Sequence, residues 1–422
     1  MRKLLIVLFF VPNALLAQSL SISQLWQSLG TQNLRDEVAL RQSLARTQLA
    51  ETRSAWLPVV YADAGMQHNL VIPTTPVPAI AFDPDAAPGE ITPLKFATEW
   101  SSRAGAHLEW TVFDPSRRSD IAIRTLEVQK SELEADELLH QWRVDAVLAY
   151  TAVVLATQQN EQTRQDSIHY AQVLHSISAR VDAGRAHRSE YLEARQEMER
   201  IHIRRLEAWN VLKDASMRLL TEVPDLEIAQ LTSSLEEIVD FVAAYTDPTY
   251  REDLLQTEVQ IAKENLVLQQ AARWPTLSFQ TYYGGQYFDN SLRLADWDRW
   301  YGNSYASLSL RIPLSEYIWS RNPVRSSRLQ ADLKVVELKN QQEQDELERA
   351  QRRLNQSTFS EKVASLREIV RLAQENAELQ LEAYQAGRVL LSVYHQALLN
   401  QTQALQELWQ TQYDWVQAIL NP

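Results

Sequence analysis

Two stretches of this chain, 217 residues apart, follow one plan, and that duplication constrains the fold more than any other feature. The run from Gln42 to Pro58 and the run from Val259 to Pro275 are each helix-like, and each ends at a proline just past a tryptophan. Each then passes into a segment that alternates apolar and polar residues. Further on, Asp182-Ala183-Gly184-Arg185 is matched by Gln385-Ala386-Gly387-Arg388. Self-similarity at this scale marks a doubled structural unit. The order in each half is helix, strand pair, long helix, glycine turn, return helix. The first repeat covers residues 18–220, with its strand pair at about 58–113 and its tip near 184. A linker, 221–250, leads to the second repeat at 251–422, whose strand pair lies at about 275–313 and whose tip is near 387.

The alternating segments carry the most information. Val60, Ala62, Ala64, Met66, His68 and Leu70 fall on one face of the first; Ser102, Ala104, Ala106, Leu108, Trp110 and Val112 fall on one face of the second. Leu277, Phe279, Thr281 and Tyr283, then Ala306, Leu308, Leu310 and Ile312, do the same in the second half. Period-two alternation gives each strand one apolar and one wet face. These runs exceed the five or six residues usual in soluble strands and are long enough to cross a bilayer. Four strands cannot close a membrane barrel, and an open edge inside lipid is forbidden. Either the strands lie outside the membrane or several chains share one barrel: two would give eight strands and three would give twelve.

Between the strands the chain reads as helix. Asp114-Pro115 supplies an N-cap and a first-turn proline, and few breakers follow until Gly184. That is roughly 100 Å of helix at 1.5 Å per residue. Val363, Leu366, Val370, Ala373, Ala377 and Tyr384 keep three-four spacing, with Gln380 in an apolar slot. Leu398, Gln401, Leu405, Leu408, Gln412, Trp415 and Ile419 form the matching stripe on the return helix. This is a polar-interrupted heptad seam, which needs a partner helix to fold. Only nine glycines in 422 residues suits such long helices.

The N-terminus, Met1-Arg2-Lys3 followed by an apolar run and Ala14 to Ala17, reads as a signal peptide over residues 1–17. No other stretch has the apolar length of a transmembrane helix. The absence of cysteine excludes disulfides and thiolate metal sites. A formal charge of −13 argues against nucleic acid as a partner. None of the eight histidines (His68, His107, His140, His169, His175, His187, His202, His395) shows a zinc spacing. Gly284-Gly285 lacks the following lysine of a phosphate loop. No enzyme, cofactor or metal site is expected. Tyr287, Phe288, Trp297, Trp300 and Tyr301 cluster as a candidate aromatic belt at a membrane interface. The proline-rich insert from Pro73 to Pro93 reads as an external loop stiffened by its backbone.

With these features in place, the sequence resembles the TolC-type outer-membrane efflux family. The resemblance is carried by the junctions Ala55-Trp56-Leu57-Pro58 and Ala272-Arg273-Trp274-Pro275, by Val112-Phe113-Asp114 and Ile312-Pro313-Leu314, and by the two glycine tips, in order and in duplicate. It implies an α+β membrane protein in the bacterial outer membrane, extending into the periplasm. Three copies would share a twelve-stranded β-barrel continued by a tunnel of antiparallel coiled-coil helices. It further implies a homotrimer that docks a periplasmic adaptor and, through it, an inner-membrane pump of the RND or ABC type, for export of drugs or other small toxic molecules. Type I protein secretion and metal-ion efflux use similar ducts, and a pore-free envelope coiled coil is the reading from another class. The four long strands argue against that last one.

Carried over by position, the tips Ala183, Gly184, Arg185, Ala386, Gly387 and Arg388 would meet the adaptor. Tyr384 matches a gating tyrosine and Glu190 its acidic partner. The chain departs from the family at Val389, where an arginine is usual, and at Val393 and Gln396, where two carboxylates ring the pore. Closure is therefore expected to lean on apolar packing around Val389 and Val393.

Overall fold

The computed structural model describes residues 20–28, 30–224, 231–245, 248–315 and 321–421. The expected signal peptide lies outside them, as do residues 225–230 and 246–247 of the linker. The helices are α1 (Ile22–Gln27), α2 (Gln32–Ser54), α3 (Ser116–Asp182), α4 (Arg188–Glu222), α5 (Leu235–Ala243), α6 (Tyr250–Ala271), α7 (Arg321–Gln385) and α8 (Leu391–Leu420). The strands are β1 (Val59–His68), β2 (Thr75–Pro78), β3 (Ile91–Leu94), β4 (Trp100–Phe113), β5 (Thr276–Asp289) and β6 (Trp300–Arg311). Asp114 starts α3 as its sequence suggests: its carboxylate accepts from the Ser116 amide at 3.0 Å and from the Ser116 hydroxyl at 2.6 Å.

The chain forms two compact units, and each draws on both halves of the sequence. One comprises residues Gln42–Ser131 and Leu255–Glu337 and holds a four-stranded antiparallel sheet in the order β1-β4-β5-β6. The two halves are joined at its centre, where β4 pairs with β5. The strand ends differ slightly from the alternation: Leu70 and Ile312 fall just outside β1 and β6. Register gathers Trp110, Phe279 and Leu308 into one row and Val60, Leu108, Thr281 and Ala306 into the next, on the apolar face. The opposite face carries Asp63, Arg103, His107, Glu109 and Gln280. There Tyr282 lies flat over Gly105 and Gly284, where an added Cβ would meet its ring or hydroxyl at 2.4 Å. In the same unit, Glu258 of α6 takes Lys130 of α3 at 2.6 Å and Lys334 of α7 at 2.9 Å. Burial alone would raise its carboxyl pKa, but the two ammonium groups outweigh that and hold it low.

The proline-rich insert is more than a loop. β2 and β3 form an antiparallel pair with Pro76 opposite Pro93, which a two-stranded ladder tolerates because each strand has an outer edge needing no N–H. The proposed aromatic belt is divided by the pleat. Tyr287 and Trp300 share a row on one face, so their chain neighbours Phe288 and Tyr301 point to the other.

The second unit comprises residues up to Arg41, Glu132–Leu254 and Leu338–Pro422. Its larger core joins Val147, Val153, Leu219, Val363, Leu366, Leu408, Trp415 and Val416, so the heptad seam is the packed face. Helix α5 is closed by a capping box, Ser234 with Glu237, and buries Leu235, Ile238, Val239 and Val242. The fully buried Tyr150 donates to the Leu20 carbonyl at 2.9 Å and accepts from the Ser233 amide at 3.1 Å. Among the described residues no helix is long and apolar enough to cross a membrane.

Candidate functional site at the helical tips

Both helical hairpins reverse by the same device. At the end of α3, Gly184 takes φ +67°, its N–H donates to the Val181 carbonyl, and the Arg185 N–H donates to the Arg180 carbonyl. At the end of α7, Gly387 takes φ +73°, with Gly387 donating to Tyr384 and Arg388 to Ala383. This is the Schellman pattern, which needs a left-handed residue and so a glycine. The residues that precede the next helices, His187 and Leu390, give no side-chain cap. All six expected docking residues (Ala183, Gly184, Arg185, Ala386, Gly387 and Arg388) are solvent-exposed, and nothing stands within 4 Å of a Cβ built on either glycine.

Behind the tips lies a small separate core of Tyr170, Ile177, Ala194, Ile201, Tyr384, Leu391 and Tyr394. It is here that the structure brings two of the expected gate residues together. The Tyr384 hydroxyl donates to Glu190 Oε1 at 2.5 Å, joining α7 of one hairpin to α4 of the other. Burial, then the bond to Glu190, raises the phenol pKa well above its ordinary value, so Tyr384 stays a donor at neutral pH. Its ring stacks on Tyr394, with centroids 6.3 Å apart. Next in the layer, Tyr170 is hydrogen-bonded to His395 Nε2, and burial lowers the pKa of that imidazole.

The other three residues divide. Val389 packs against this core, whereas Val393 is 43% exposed and Gln396 is exposed. Of the two valines expected to pack, only Val389 does so within the chain. Val393 and Gln396 instead line a groove of about 340 Å³ with Asn376, Gln380, Ser392 and Asn400. Sequence reasoning missed Arg180, whose guanidinium carbon stands 5.4 Å from the Tyr384 ring centroid and whose Nη1 is 3.8 Å from Glu190 Oε1. Its one signal was its place in the last turn before a tip glycine. Among the described residues no group of three acidic or histidine side chains is placed to hold a metal ion.

No family model matches the sequence, and no curated protein matches it either. Solved structures do. The chain superposes on CusC, described for its folding and transmembrane channel formation, with a TM-score of 0.75 at 14% identity over 94% of this chain and 90% of that one. The open-state MtrE outer-membrane channel of Neisseria gonorrhoeae gives 0.73 at 14% identity, over 94% and 86%. The CmeC outer-membrane channel of Campylobacter jejuni gives 0.69 at 14% identity, over 94% and 84%. Likeness over nearly the whole length at so low an identity is a likeness of fold, and the fold is that of TolC-type channels.

Proposed function

We propose that a chain with this fold serves as the outer-membrane duct of a tripartite efflux system. In this reading it is a passive exit for drugs or other small toxic molecules that an energised inner-membrane pump delivers through a periplasmic adaptor. The observation that carries it is the sheet. Among the described residues β1 and β6 have no strand on their outer sides, and the apolar face leaves Val60, Leu308 and Leu310 more than 60% exposed. In water such a surface would aggregate; in lipid the face is satisfied and only the edges remain to be paired. Pairing the edges between copies removes them, and three copies would give twelve strands.

The tips fit the other end of the pathway. Two exposed glycine turns with small neighbours let a partner helix approach the backbone closely. The hydrogen bond between Tyr384 and Glu190 supports a closed inner end, because it ties one hairpin to the other. No step here is chemical: the duct supplies a path, and the free energy comes from the pump.

Native mass measurement of the detergent-extracted protein, paired with planar-bilayer recording, tests the reading. Three copies that conduct ions and unfold with a heat-dependent gel shift are expected. A stable monomer without conductance would sink it.

A further inference from the structure

We propose that Arg180 is a positioning residue of the tip lock, holding the Glu190 carboxylate where Tyr384 can reach it and tying that bond to the conformation of the tip turns. This rests on reading the tips as a gate, and it adds a residue and a coupling to that reading.

The geometry is a three-way contact. Arg180 Nη1 lies 3.8 Å from Glu190 Oε1, the same oxygen that takes the Tyr384 phenol at 2.5 Å. The guanidinium also lies over the Tyr384 ring at 5.4 Å, within range of a cation–π contact. Arg180 therefore touches both hairpins: Glu190 on the return helix of its own, and Tyr384 on the other. The Glu190 side chain is only 21% exposed and Arg180 only 34%, so the pair is partly sheltered from solvent. A carboxylate at the start of α4 has several rotamers open to it. A cation on one side and a phenol on the other select one.

The backbone adds the coupling. The Arg180 carbonyl accepts the Arg185 N–H at 2.7 Å, and the Tyr384 carbonyl accepts the Gly387 N–H at 2.9 Å. The Glu190 N–H donates to the His187 carbonyl at 3.1 Å, in the first turn of α4. Each of the three side chains is thus rooted in a residue whose backbone a tip turn holds. A partner that reshapes either turn moves an anchor of the lock directly, with no transmission through the helices. The coupling has a discrete two-state element at its centre, a bond that is made or broken.

The experiment is planar-bilayer recording of the full oligomer with Arg180→Ala, Arg180→Lys, Tyr384→Phe and the Arg180→Ala/Tyr384→Phe double variant. We expect Arg180→Ala to raise open probability roughly threefold, as Tyr384→Phe does, with no further gain in the double variant because the two act on one bond. Lysine keeps the charge and should restore most of the closure, which a purely space-filling role would not predict. If Arg180→Ala does not assemble, Arg180→Gln, which keeps the unbranched stem and a polar end without the charge, takes its place. Wild-type behaviour of the alanine or glutamine variant beside an opened Tyr384→Phe would overturn the role of Arg180 alone, as would full additivity. If neither Tyr384→Phe nor Arg180→Ala changes the current, the gate reading itself fails and the inference falls with it.

Discussion

Tyr384 and Glu190 lie 194 residues apart in the chain and 2.5 Å apart in space, and their hydrogen bond joins the first hairpin's α4 to the second hairpin's α7. A bond to a charged group is worth about 1.5–3 kcal/mol, and each copy in an oligomer repeats it.

Tyr384→Phe keeps the ring stacked on Tyr394 and removes only the donor. Single-channel conductance is expected to rise modestly, with unchanged expression and assembly. Equal conductance would reduce Tyr384 to a packing residue.

Val393→Asp tests the neighbouring surface. At 43% exposure the side chain has room for a carboxylate, and the substitution should cost little stability. Mutual repulsion among copies at a constriction should then raise conductance more than Tyr384→Phe does. Bilayer recordings that show no change would place the constriction elsewhere.

Gly184→Leu and Gly387→Leu each force a side chain into a left-handed backbone conformation, at about 1–2 kcal/mol. The turns face solvent, so the oligomer should still reach the membrane. Export in cells should be lost, and normal export by both variants would remove the tips from adaptor docking.

The sheet offers a test independent of transport. Gly105→Ala would place a Cβ about 2.4 Å from the Tyr282 ring and should destabilise the sheet by about 1–3 kcal/mol. Adding Tyr282→Ala removes the obstacle. The temperature of the heat-dependent gel shift should fall in the single variant and recover partly in the double one.

Glu258→Gln addresses pH. The folded carboxyl is held below its ordinary pKa, so its pairs with Lys130 and Lys334 stabilise the fold above the unfolded value near 4.3 and lose that effect as pH falls through the folded value. Thermal melts should show the variant less stable at pH 7, by roughly 0.5–1 kcal/mol. The two melting curves should converge in acid; a gap that persists at pH 2 would mean the loss is steric.

Much of this was legible in the sequence, for reasons that also explain what was not. The four strands announce themselves because period-two alternation is local, and α3 because Asp114 and Gly184 bracket it. The pairing of Tyr384 with Glu190 came only through family resemblance, since no local pattern links residues so far apart. Arg180 gave only its place in the last turn before a tip glycine, because its partners belong to two other helices. The aromatic cluster does not show its own division in the sequence: Tyr287 and Phe288, like Trp300 and Tyr301, are neighbours in the chain and opposites in the sheet. The fit of Tyr282 over Gly105 and Gly284 needs the register of two strands from different halves, which composition does not encode. The hairpin of β2 and β3 was hidden by its prolines, which usually argue against strands.

The strand order has one more consequence, and it concerns symmetry. The sheet runs β1-β4-β5-β6, so among the described residues its two free borders come from different halves of the sequence and are different surfaces. An even number of alternating strands leaves β1 and β6 running in opposite directions, so β6 of one copy can meet β1 of the next and continue the antiparallel pattern. That contact is heterologous, and repeating it rotates each copy by a fixed angle until the ring closes. A two-fold pairing of β1 with β1 would instead leave both β6 edges open, unless these paired as well. In such a ring of repeated β6-to-β1 contacts a single substitution on β1 or β6 would change every seam at once.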